Sequence, residues 1–322
     1  MGSASSKAWS IGRYFDTYQS LQAILRTSDD HTGPAKTKIT ELPDRGQKVK
    51  LVELLEPKST QPNARFILES GNLVPDLLSQ VGCLLFVRAH TSIPVPRVYA
   101  WSAEAGQEYL ALEYVEGEFL SSVWGGYTEE EKEAVAVKLA KIITEMVEIR
   151  FDGVGGILPT VKESKTSKGR NKLHAKENYN TEPYYPSRED YHSYPGMGFN
   201  FWKTPLPTDL KTQRITLSKD SFPTSEPSVL CHHNFHGGNI LVRGTDIVSV
   251  IGWDCAGSFP LSEAFYRGLN IVVRRTGDES VKENLIWRSR ILNLAGDMMC
   301  EKGWQDEQFF RWACQTIGTL TN

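Results

Sequence analysis

The stretch from Leu230 to Pro260 reads LCHHNFHGGNILVRGTDIVSVIGWDCAGSFP, and it decides how the rest of the chain is read. SVLC and NILV are short apolar runs, and DIVSVI follows NILV across Arg243-Gly244-Thr245-Asp246. A Gly in a short polar break between two β-branched runs predicts a hairpin. Ahead of that hairpin stands a loop with three histidines (His232, His233, His236), two asparagines (Asn234, Asn239) and paired glycines (Gly237, Gly238). The density of polar side chains in a segment flanked by core-like strands marks it as the place to look for chemistry.

Outward from the loop, the N-terminal side carries further strand-like runs at 48–56 (KVKLVELLE), 64–70 (ARFILES), 96–101 (PRVYAW) and 109–117 (YLALEYVEG). Each is short, apolar or alternating, and bounded by Pro, Gly or Asn. Between the second and third, DLLSQVGCLLFVRAH repeats Leu77, Leu78, Val81, Leu84, Leu85 and Val87 at helical spacing. After Gly117 the pattern changes. TEEEKEAVAVKLAKIITEMVEIR opens with a threonine cap and an acidic first turn, then carries an apolar stripe through Val135, Leu139, Ile142, Ile143 and Met146. Residues 160–200 are polar and hold Tyr179, Tyr184, Tyr185, Tyr191 and Tyr194, which predicts an insertion partly packed as a cover. Helical patterning returns beyond Leu261, with Trp287, Ile291, Leu292, Leu294 and Ala295 on the expected buried faces. The expected divisions are a peripheral lead-in over 1–45, a small sheet-rich lobe over 46–115, and a lobe over 116–322 that is mostly helical and contains the 160–200 insertion.

Composition narrows the classes. A chain of 322 residues with 40% hydrophobic side chains can fill a sizeable core. Thirty-six basic residues against thirty-nine acidic ones leave a net charge of −3, so no broad positive field is available for nucleic acid. The five cysteines are odd in number and widely spaced, which suggests neither a disulfide framework nor a zinc site and fits a reducing, cytoplasmic setting. No apolar run reaches the length of a membrane span. The opening MGSASSK matches an N-myristoylation pattern at Gly2, although a Ser/Gly-rich start is the preferred reading and one acyl chain anchors only marginally.

A small sheet with one helix, a connecting strand, then a loop of the form HxNxHxxNIL and a hairpin ending in IxWD resembles the aminoglycoside phosphotransferase and choline kinase branch of the protein-kinase-like fold. TSIPVPRVYAW (91–101) and LEYVEGEFL (112–120) look like segments of its fungal members. The resemblance implies an α+β, two-lobed fold with a small antiparallel sheet in the first lobe. It also exposes departures. In the family the loop usually reads HGDLHPGNIL, with an Asp as base and an Asn on the metal, and the hairpin ends in IDWE, whose Asp binds magnesium. His232, His236 and Asn239 match. The base falls on Asn234, the neighbouring Gly falls on His233, and the magnesium ligand falls on Gly252. In the first lobe the phosphate-pairing Lys falls on Glu69, and its helix partner falls near Gln80.

An amide cannot take a proton at neutral pH, and losing a positioned base costs roughly 10²- to 10⁴-fold. Gly252 has no ligand atom at all. Asp254 lies two residues along, a displacement of about 6.5 Å against metal–ligand distances of roughly 2 Å. No nucleotide or metal cofactor is therefore expected. The candidates for replacement chemistry are His233 as an acid or base, and Asn234 and Asn239 as hydrogen-bond donors or as braces of the loop. Trp253, Tyr184, Tyr185 and Trp202 are expected to line or cover a pocket for a small, apolar substrate. Three classes stay open: an ATP-independent cyclase or isomerase, a binding module without catalysis, and a phosphotransferase using migrated residues.

Overall fold

The computed structural model describes residues 36–42, 48–55, 64–70, 76–103, 108–165, 171–185, 227–261 and 278–303. Strands β1 (Lys36–Glu41), β2 (Lys48–Leu55), β3 (Ala64–Ser70), β4 (Val98–Ser102) and β5 (Tyr109–Glu113) form one antiparallel sheet in the order β1-β2-β3-β5-β4. Helix α1 (Asp76–His90) connects β3 to β4 and occupies the residues its periodicity predicts. KTKITE, placed by its polarity in a peripheral lead-in, instead supplies the edge strand β1. An edge needs only backbone pairing and one inward apolar residue, which leaves little hydrophobic signal.

Cross-strand partners share a face, and the two faces of this sheet differ. Val52, Phe66, Leu68 and Ala111 are buried on one side. Leu110 and Leu112 lie on the other, where they join Leu77, Val81, Leu84 and Val87 of α1. That cluster runs on without a break into the second half of the chain, through Leu120, Trp124, Leu139, Ile143, Val229, Phe235, Trp253 and Ile291.

Beyond β5 the chain pairs β6 (Glu118–Phe119) with the later hairpin, turns through α2 (Leu120–Val123), and enters α3 (Glu129–Glu148). The predicted cap of α3 is a full capping box. The Thr128 side chain accepts from the Glu131 N–H at 3.2 Å, and the Thr128 N–H donates to Glu131 Oε2 at 2.9 Å. Helix α4 (Asp278–Glu301) packs on α3, with Trp287, Ile291, Leu292 and Ala295 buried and a two-pronged Arg290–Glu133 pair at the margin.

Sheet and helix share the second half. Strands β7 (Arg150–Phe151), β8 (Val154–Lys165), β9 (Asn171–Tyr185), β10 (Ser228–Cys231) and β13 (Gly257–Pro260) form a second sheet in the order β7-β10-β13-β8-β9. β11 (Ile240–Arg243) and β12 (Asp246–Val250) form a third with β6. The insertion read as a loop from residue 160 onward is a long β8–β9 hairpin as far as Tyr185. Its Lys, Glu and Asn content hid the alternation, since hydrophobic period is the strand signal and this ribbon has little of it. Residues 186–226 lie outside the described residues.

Candidate functional site

β10 runs out of the second sheet at Cys231 and delivers His232 into the core, where it is 1% exposed. Its Nε2 lies 2.9 Å from the Ile251 carbonyl, and its Nδ1 accepts the Asn234 N–H at 3.2 Å. A carbonyl can only accept, so the ring carries its proton on Nε2 and is neutral. Burial pushes its pKa down to about 3. The ring also packs on Trp253 at 4.5 Å between centroids. His236 caps the following 3₁₀ turn (Gly237–Asn239), its Nδ1 accepting the Gly238 N–H at 3.1 Å. Two of the three histidines are thus fastened to backbone.

The third differs in conformation. His233 has φ +59°, and among the described residues it is the one non-glycine with positive φ. A left-handed residue with a Cβ costs about 1–2 kcal/mol. Its imidazole lies on Phe259 of β13 with ring centroids 3.6 Å apart, a contact that offsets part of that strain. Sequence reasoning missed Phe259, because nothing local links it to the loop until β10 and β13 pair.

Asn234 is half-buried, and its backbone carbonyl accepts from Asn239 Nδ2 at 2.8 Å. Asn239 itself is 3% exposed, its backbone N–H bonded to His236 O at 2.7 Å and its carbonyl accepting from the Ile251 N–H at 2.8 Å. Its amide therefore holds the loop closed from beneath. Directly against that amide sits Gly252, left-handed at φ +77° and ψ +45°. A Cβ on Gly252 would lie 2.6 Å from Asn239 Nδ2, closer than real Cβ contacts come.

Trp253, expected at a pocket floor, is a core residue. It is fully buried, and its indole N–H donates to the Val250 carbonyl at 2.9 Å. A buried indole needs an acceptor, and the hairpin end supplies one. Asp254 and the exposed Cys255 follow in the same 3₁₀ turn (Trp253–Cys255), with Cys255 Sγ 3.4 Å from Asp254 Oδ2. Tyr184 and Tyr185 lie at the end of β9, Tyr185 opposite Val154. Trp202 and Gly2 lie outside the described residues.

The first sheet reaches the site through α1. Ser79 Oγ donates to the Ala256 carbonyl at 3.2 Å, and the Val250 N–H donates to the Pro94 carbonyl at 2.8 Å. Cys83, on the same helix, is fully buried, and burial pushes its thiol up to about 12 against the opposing hydrogen bonds to the Ile157 backbone and the Ser79 side chain. Glu69 and Gln80 do meet: Gln80 Nε2 donates to Glu69 Oε2 at 3.1 Å. This pair presents a carboxylate and a neutral amide, so it offers no cation to phosphates. Together with Gly252, whose place offers no side-chain oxygen, this pair means that the residues present do not fit magnesium-bound nucleotide. Among the described residues no group of three His, Cys, Asp or Glu side chains could hold a metal ion, and no helix is long and apolar enough to cross a membrane.

A loop hung between a sheet strand and a hairpin, facing a sheet-and-helix unit, defines a kinase-like phosphotransferase architecture. The model of the phosphotransferase enzyme family matches residues 59–290, and the chain belongs to that family. Among curated relatives, a subtelomeric hrmA-associated cluster protein of Aspergillus fumigatus is 35% identical over 86 residues, which is 26% of this chain and 17% of that protein. A counterpart from a second strain of that species is 35% identical over 83 residues, 24% of this chain and 16% of that protein. The chain thus spans about a sixth of the length of the curated relatives it matches. Among solved structures, an aminoglycoside 2'-phosphotransferase in complex with GDP shares the fold with a TM-score of 0.50 at 11% identity, over 94% of this chain and 87% of that one. The macrolide 2'-phosphotransferase of Brachybacterium faecium aligns with a TM-score of 0.49 at 11% identity, over 93% and 89%.

Proposed function

We propose that this member of the phosphotransferase family does not transfer phosphate from magnesium-ATP, and that its altered loop serves metal- and ATP-independent chemistry, a cyclisation or isomerisation, on a small and largely apolar molecule. The observation that carries the first half is the contact between Gly252 and Asn239. The position that would need a carboxylate carries no side chain, and a Cβ placed there would lie 2.6 Å from Asn239 Nδ2, which donates to the Asn234 carbonyl. Phosphoryl transfer rests on metal positioning and charge neutralisation, and neither survives that arrangement.

The second half is supported by what replaces the lost groups. His233 keeps a strained left-handed backbone, and strain of this kind gathers at functional sites. The half-buried Asn234 side-chain amide can donate to a ligand carbonyl. Reactions that need a shaped cavity and one or two donors require nothing more.

Calorimetry with magnesium-ATP tests the first half: no binding is expected at millimolar nucleotide, and tight magnesium-dependent binding overturns it. His233→Ala and Asn234→Ala, expressed in the native host and checked for folding, test the second. Loss of a positioned donor should lower product formation roughly 10²- to 10³-fold. Folded variants with unchanged metabolite profiles would leave the loop as scaffold and favour a binding module.

A further inference from the structure

The backbone of the loop is anchored through His232, His236 and Asn239, and those anchors fix where the Cβ of the half-buried His233 stands. The direction of its ring is a matter of side-chain rotation, settled by what the ring lies on. That surface is Phe259 of β13, 9% exposed. β13 is an inner strand, paired with β10 on one side and β8 on the other. Its register sets Cys231 opposite Gly257 and Val229 opposite Phe259, so an extended β10 would carry His233 past Cys255 and away from Phe259. The left-handed turn at His233 brings it back. Phe259 in turn leans along its own strand: a Cβ on Gly257 would lie 2.9 Å from Phe259 Cε2, so the ring occupies room that a glycine leaves.

We propose that Phe259 is a positioning residue for His233: its ring, mounted on β13 and admitted by Gly257, fixes the angle at which the imidazole is offered to a substrate. With His233 read as the acid or base of the altered loop, on which this role rests, Phe259 is what aims it. A group that moves a proton must be held within about 0.5 Å of its productive place, and a strand inside a sheet is a stiffer mount than a loop. Two rings inclined at 33° with centroids 3.6 Å apart leave the imidazole little freedom to rotate. The strained backbone of His233 then has a use, because it carries the ring onto a fixed support.

Folded variants of the full chain in the native host test this, the readout being the metabolite whose level falls in His233→Ala. Phe259→Leu, which keeps an apolar side chain and loses the flat ring, should lower that metabolite roughly 10²-fold, and Phe259→Tyr should stay close to wild type. Because Phe259 acts through His233, adding Phe259→Leu to His233→Ala should lower it no further. If His233→Ala is impaired while Phe259→Leu produces as wild type does, the positioning role is overturned and the reading of the loop stands. The same fold-loss from Phe259→Leu in both backgrounds, or Phe259→Tyr as poor as Phe259→Leu, overturns that role equally. No metabolite lost in His233→Ala overturns both. Should Phe259→Leu fold poorly, proton NMR of the wild-type protein decides: the His233 ring protons, assigned by their absence in His233→Ala, should lie upfield of ordinary histidine positions through the ring current of Phe259, and ordinary positions overturn the proposal.

Discussion

A side chain at Gly252 would meet two obstacles, and they can be measured apart. One is the left-handed backbone, worth about 1–2 kcal/mol for a residue with a Cβ. The other is the Asn239 amide, which would have to release the Asn234 carbonyl at a cost of about 1 kcal/mol. Gly252→Ala and Gly252→Asp should therefore both lower stability by roughly 2–3 kcal/mol, read from denaturant midpoints. In an Asn239→Ala background the Gly252→Ala step should cost only the backbone part, and additive costs would show that the two residues are not coupled. Asn234→Asp with Gly252→Asp should yield no ATP turnover in a phosphate-release assay. The identities of these residues were legible in the sequence, because the loop's motif fixes which position each occupies. Their contacts were not: neither the positive φ of Gly252 nor the stacking of His233 on Phe259 has a signature in local composition.

At the scale of elements, β3 and α1 were read to the residue, since ARFILES is a short apolar run between punctuating Asn and Gly and the helix repeats Leu and Val at i, i+3 and i+4. β1 and the β8–β9 hairpin escaped because backbone pairing, not apolar burial, defines them. The acidic start of α3 was read through its cap, and the capping box gives that reading a cost. Thr128→Ala should destabilise by about 1 kcal/mol, with Thr128→Asp close to wild type, both followed by thermal melts. A loss below a few tenths for the Ala variant would show that packing of α3 on α4 alone holds the helix.

Over the whole molecule, the neutral His232 ties stability to pH. Its folded pKa of about 3 lies below its ordinary value of 6.5, so in that window the unfolded chain binds the extra proton. Stability should be fully present above 6.5 and fall, by up to about 1.4 kcal/mol per pH unit from this group alone, as pH drops toward 3. Among the described residues, the groups around the ring are the Ile251 carbonyl, the Asn234 N–H, Trp253, Phe235 and the neighbouring His236, none of them a carboxylate that would hold a charged imidazole. His232→Gln, whose amide can donate and accept in the same directions, should flatten urea-derived stability across that window. An unchanged slope would place the proton elsewhere.

The unbroken cluster that joins α1 to Phe235, Trp253 and α4 decides where the gene can be cut. A fragment ending at Gly117 would carry Leu77, Val81 and Leu84 into water, and the complementary fragment would lose the helix that packs on β8 and on the turn at Trp253. Neither piece should be recovered as a folded product when expressed alone. Co-expressed, they should reassemble by rebuilding that interior, which makes the junction after Gly117 a site for a split reporter in which signal depends on association.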